Sequence, residues 1–246
     1  MKFLHWKFQL GLALIGASAA LYGLNYLIFR DSNYMLRLFL AQLGFLPISV
    51  LLVTIILNQL LGLRAKAAKL AKLNMVIGAF FSEVGGALLK TLSTYDQCLP
   101  DFQPRVAHIS HWTGPDFAVF SQGLAENDFD LQLKEGDLEV LRNFLLQKRD
   151  FLLRLLENPN LLEHDSFSSL LLAVFHLTEE LAQRTDLAHL SAADRKHLSG
   201  DVQRGYLLLI KEWLAYMAHL KARYPYLFSL ALRTNPFDPF ATPEIH

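Results

Sequence analysis

The chain has 246 residues, of which 52% are hydrophobic, and its 23 basic residues are balanced by 23 acidic ones. That balance excludes a nucleic-acid binder working by phosphate neutralisation. The lone cysteine, Cys98, excludes an internal disulfide framework and any site built from several cysteines.

Two uncharged apolar runs open the chain, 22 residues between Lys7 and Arg30 and 26 between Arg37 and Arg64. At about 1.5 Å per residue each is long enough to cross a hydrocarbon core of roughly 30 Å. The expected spans are residues 8–29 and 38–63. Lys2 and Lys7 precede the first span, and Arg64, Lys66, Lys69 and Lys72 follow the second. Only Arg30, Asp31 and Arg37 occupy the connecting turn. Basic residues stay on the cytoplasmic side, so both termini are expected in the cytoplasm of a multi-pass inner-membrane protein. Arg64, Lys66, Lys69 and Lys72 are placed to meet anionic lipid head groups.

Ala17-Ser18-Ala19 resembles a signal-peptidase site, but the apolar run continues to Phe29, which a cleaved signal does not need. The small pairs Ala13/Ala17, Gly16/Ala20 and Ala19/Gly23 instead predict a face that packs closely on the second span or on a copy of itself. Pro47 predicts a kink in the second span. Neither run contains Asp, Glu, Lys, Arg or His, which argues against a transporter. A pore made by several copies would need Asn25 or Gln42 to face water.

After Arg64 the pattern predicts that the second span continues as a cytoplasmic helix. Leu63, Leu70, Ile77 and Val84 recur every seven residues in coiled-coil fashion. Gly78, Gly85 and Gly86 predict a close crossing or a bend within it. Three further helices are predicted: Asp137 to Glu157, Phe167 to Arg184, and one from Ser191 to Tyr224 that Ser199-Gly200 interrupts. Ser191 and Asp194 have capping-box spacing. Between these elements, residues 93–136 contain three prolines and read as a long loop. The tail, 234–246, reads as extended, with Asn235-Pro236 and Asp238-Pro239 as turns. The expected organisation is an all-α membrane protein: a transmembrane hairpin over 1–64, a cytoplasmic helical bundle over 65–233, and the tail.

Glu83, His176, Glu179, Glu180, Glu212 and His219 raise the possibility of a carboxylate-bridged di-metal site, because such sites draw Glu and His from facing helices of a bundle; Glu83, Glu180, Glu212 and His219 are the set selected from them. The usual Glu-x-x-His order is reversed here, as His176-x-x-Glu179, and the alternative is solvated or helix-pair charge, with His176 and Glu180 at i,i+4 spacing. Cys98, His108 and His111 form a second, weaker metal set, with Asp101 or Asp116 as a fourth ligand. No phosphate-binding Gly-rich loop, nucleophile elbow or His-Glu-x-x-His helix is present. Tyr224, Tyr226, Phe228 and Phe237 are the aromatic candidates for an interaction surface, with core packing as the alternative use of the same rings.

The function expected from these residues is non-catalytic. It is that of a membrane-anchored, cytoplasm-facing helical protein acting through protein–protein contacts with itself or a partner. A membrane-tethered di-metal enzyme and an oligomeric pore are the alternatives. Membrane lipid and protein are the expected partners, nucleic acid is not, and no cofactor is expected beyond a possible metal ion.

Overall fold

The computed structural model describes residues 2–124, 129, 131–134, 136–159, 161 and 164–244. Within these, the side chains of 2–8, 65, 67–69, 71 and 102 lie outside the description. The protein is 81% helix, and no strand occurs among the described residues. It divides into two compact units, Met1–Lys66 and Ala67–His246.

The first unit holds helix α1, Lys2–Phe29, and the beginning of α2, Ser32–Phe80. The turn between them is two residues long. Arg30 adopts a left-handed conformation with φ 47°, and the Asp31 carboxylate accepts the Tyr34 N–H at 3.0 Å, capping α2. Gln9–Phe29 and Ser32–Arg64 are long and apolar enough to cross a membrane. Most of their leucines, isoleucines and phenylalanines are exposed. The Tyr22 hydroxyl donates to the Gln42 side chain across the hairpin. Close packing through small residues is absent, since a Cβ placed on Gly16 or Gly23 would meet nothing within 4 Å. The small-residue face of α1 is therefore open within one chain. α2 passes through Pro47 without a break.

The second unit is a helical domain. It begins with the rest of α2, followed by a π-helical turn, Phe81–Gly85, and α3, Gly86–Ser93. A third apolar stretch, Lys72–Ser93, has the length of a span, but 44% of it is buried in this domain, so its hydropathy is that of a core helix. The seven-residue repeat divides: Leu63 and Leu70 are exposed, whereas Ile77 and Val84 are buried. At the π-turn one extra residue lets Phe80, Phe81 and Val84 all face the core. A Cβ on Gly85 would lie 2.7 Å from ring atoms of both phenylalanines, and one on Gly86 would lie 2.9 Å from the Phe81 carbonyl oxygen. Glycine at both positions permits this packing.

Helices α4 (Leu99–Ala107) and α5 (Gly114–Gly123), with a short 3-10 turn at Ile109–His111, fill much of the segment expected to be a loop. Pro100 and Pro115 sit in the first turns of these helices, where the missing N–H has no intrahelical partner to lose. The Thr113–Asp116 capping box starts α5. Trp112 packs on Phe117 and Phe120, and Lys221 donates to the Ser110 and Trp112 carbonyls at 2.6 Å.

The three long helices follow: α6 (Asp137–Leu156), α7 (Asp165–Ala182) and α8 (Ala192–Arg223). α7 packs on both α6 and α8. The predicted stripes are the buried faces: Leu138, Leu141, Leu145, Leu152 and Leu155 on α6, and Phe167, Leu170, Val174, Leu177 and Leu181 on α7. α8 runs uninterrupted through Ser199-Gly200. The Ser191 hydroxyl caps it by accepting the Asp194 N–H at 3.1 Å, but the Asp194 carboxylate turns to Arg184 and does not complete a capping box. Beyond Tyr224 a further short helix, α9 (Pro225–Arg233), lies against α8. The tail then makes two Asx turns, with Asn235 and Asp238 each accepting the N–H two residues on.

Candidate functional site

An apolar groove of about 630 Å³ lies in the helical domain between the end of α2, α8 and α9. Asn74, Gly78 and Ser82 form one wall, Tyr216 and His219 of α8 the floor, and Tyr224, Tyr226, Leu227 and Leu230 the opposite rim. Gly78 brings α2 close to α8, since a Cβ there would sit 3.1 Å from the Tyr216 hydroxyl. Tyr216 stacks on Phe81 with ring centres 5.3 Å apart, and burial pushes its phenol above the ordinary tyrosine range. His219 Nδ1 lies 3.3 Å from the Asn74 amide nitrogen, while its Nε2 is buried without a hydrogen-bond partner. Burial, reinforced by Arg223, holds the imidazole below its usual range. His219 is therefore neutral at neutral pH, in keeping with an apolar site. Met75, Tyr226, Leu227 and Leu230 around the groove are exposed.

The four aromatic candidates separate. Tyr224 and Tyr226 line the groove, their rings 6.4 Å apart and edge-on. Phe228 and Phe237 are core residues. Of the head-group candidates, Arg64, Lys66 and Lys72 are exposed, and the Lys69 side chain lies outside the described residues.

The four metal candidates are not brought together. Glu83 sits in the π-turn and pairs with Lys148 of α6 at 3.3 Å. Glu212 is buried on α8, and His219 belongs to the groove. Glu180 instead meets its i,i+4 neighbour His176 and, from α8, His197, which the sequence pattern had not linked to it. His176, Glu180 and His197 form the one group of His, Cys, Asp or Glu among the described residues in which three ligand atoms lie within 4.8 Å of one another. Buried Asp201 adds a carboxylate, its Oδ2 3.5 Å from His176 Nε2 and 3.3 Å from His197 Nε2. Each helix contributes a histidine and a carboxylate four residues later, which places both on one face. Cys98, His108 and His111 are absent from any such group among the described residues.

Arg184 closes one side of this cluster. Its guanidinium donates to Glu180 Oε2 at 2.7 Å and to both Asp194 oxygens, at 2.6 and 3.0 Å. These bonds hold both carboxyls below their usual range and raise the guanidinium's own affinity for its proton. A carboxylate whose folded pKa is depressed adds stability above its unfolded value, about 4, and that stability is lost as pH falls through the folded value. The melting-temperature gap between wild type and Arg184→Met is thus expected to be constant from pH 5 to 7 and to close in more acid solution, as read by scanning fluorimetry.

Fold and site together define an all-helical protein with an N-terminal apolar helix pair and a C-terminal helical domain. The chain belongs to the MJ1433 family: residues 1–61 match the family described as MJ1433, N-terminal helical domain, and residues 69–233 match Uncharacterized protein MJ1433, C-terminal helical domain. It is 44% identical over 229 residues to Uncharacterized protein MJ1433 of Methanocaldococcus jannaschii, covering 93% of this chain and 92% of the relative. No solved structure matches the chain.

Proposed function

We propose that this is a non-catalytic membrane protein with two spans and cytoplasmic termini, whose helical domain docks a second copy of the chain through the groove. The groove with its exposed apolar rim carries the reading, because contiguous exposed apolar surface on a folded domain marks a contact site. The occupant must supply an apolar or aromatic side chain from outside. Phe240 supplies one: it is 88% exposed at the tip of the Asp238-Pro239 turn. A chain carrying both a protruding ring and an apolar groove can satisfy both at once in a two-fold pair, each Phe240 entering the other copy's groove. The uncharged runs in the first unit and the exposed Arg64, Lys66 and Lys72 that follow support anchoring in a membrane.

The test is light scattering on the full chain in mild detergent, comparing wild type with Leu230→Glu and Phe240→Asp. Both residues are exposed, so neither change should alter melting. Wild type is expected to dimerise, and each variant to weaken dimerisation at least about tenfold, the cost of burying an unpaired carboxylate. A monomeric wild type, or dimers that persist in both variants, would overturn the reading.

A further inference from the structure

We propose that His176 and Glu180 of α7, with His197 and Asp201 of α8, bind one divalent transition-metal ion of the zinc class. The spacing of the donors is the first argument. Donors about 2.0–2.1 Å from a tetrahedral ion lie about 3.3 Å from each other. Asp201 Oδ2 stands 3.3 and 3.5 Å from the two imidazole Nε2 atoms. Glu180 places Oε1 3.9 Å from His176 Nε2 and Oε2 3.7 Å from His197 Nε2. These separations exceed the roughly 2.7–2.9 Å of charge-assisted hydrogen bonds.

Asp201 is the second, independent argument. Its side chain is 3% exposed, and its Oδ2, aimed at the two imidazoles, is buried without a hydrogen-bond partner. A buried carboxylate oxygen costs stability unless it meets a donor or a cation. The histidines are about half exposed, at 49% and 54%, so an ion can enter from solvent.

The donor set selects the ion. Two imidazoles with two carboxylates suit zinc, iron, cobalt, nickel or manganese, whereas calcium and magnesium prefer oxygen alone. Two carboxylate charges match a divalent cation. Arg184, which holds Glu180 Oε2, and Arg204, 3.3 Å from Asp201 Oδ1, place positive charge on the flanks and temper the affinity. Glu180 Oε1, near His176, and Asp201 Oδ2, near both imidazoles, are the oxygens that these two arginine contacts do not engage. An ion so held would clamp α7 to α8.

The test uses the full chain without a histidine tag, stripped with chelator and then titrated with zinc and with cobalt. One zinc per chain is expected, with melting raised by about 5 °C and the visible absorption of four-coordinate cobalt. His197→Gln, at a half-exposed position, should lose the bound zinc, the shift and the spectrum while still folding. His108→Gln, outside the cluster, should retain all three. Absence of stoichiometric zinc in the wild type, or undiminished zinc and cobalt signals in His197→Gln, would overturn the assignment.

Discussion

Phe80→Ala is expected to lower the unfolding free energy of the helical domain by about 3–5 kcal/mol, the range for removing a fully buried phenylalanine. Phe80 has no exposed surface, and its ring meets those of Phe81 and Phe167 edge-on at 5.4 and 5.3 Å. Through Phe167 it joins the π-turn region to α7. The cavity left by its removal is rimmed by rigid helix and cannot collapse easily, which puts the cost toward the upper end. Chemical denaturation followed by tryptophan fluorescence measures it, since Trp112 and Trp213 both lie in this domain. Leu172→Ala, on the exposed side of α7, should change stability by less than about 0.5 kcal/mol.

Phe237→Ala is expected to cost about 3 kcal/mol and to release the C-terminal tail. The ring is buried against Trp213, with centres 5.1 Å apart and planes at 74°. The backbone is held as well: the Phe237 N–H donates to Asn235 Oδ1 at 3.1 Å, and its carbonyl accepts from the Gln103 amide at 2.7 Å. Losing the ring removes the apolar anchor that keeps these polar contacts in place. A melting temperature lower by about 10 °C, together with faster proteolysis after Arg233, is the expected pair of results. A tail cleaved at the wild-type rate would show that the polar contacts alone suffice.

The long helices were legible because their apolar residues recur at helical spacing over four or more turns, and the buried faces of α6 and α7 are the stripes seen in sequence. Residues 93–136 were not, because prolines were read as breakers whereas Pro100 and Pro115 open helices. Ser199-Gly200 was misread for a related reason: packing of Leu198, Val202 and Tyr206 outweighs the weak helix propensity of two residues. α9 was missed because a nine-residue helix after Pro225 has too few turns to show a period. One rim of the groove is built by Tyr226, Leu227, Leu230 and Ala231 of α9, so the groove was hidden with it. Tyr224 and Tyr226 are exposed, but nothing in their spacing separated them from Phe228, whose ring turns into the core.

The histidine–carboxylate cluster left a signal that was not used. His176 with Glu180 and His197 with Asp201 repeat one four-residue spacing on consecutive helices. Reading His176 and Glu180 as a charge pair on one helix concealed that α8 packs on α7 and brings His197 and Asp201 beside them. The set of Glu83, Glu180, Glu212 and His219 was chosen by residue type. Helix phase then sends Glu83 toward Lys148, Glu212 into the core and His219 into the groove.

Native mass spectrometry of the full chain released gently from detergent micelles reads self-association through the groove without further assumptions. Wild type is expected to fly as dimers that fall to monomers when Leu230 is replaced by glutamate. Wild-type chains that fly as monomers, or Leu230→Glu chains that remain paired, would contradict it.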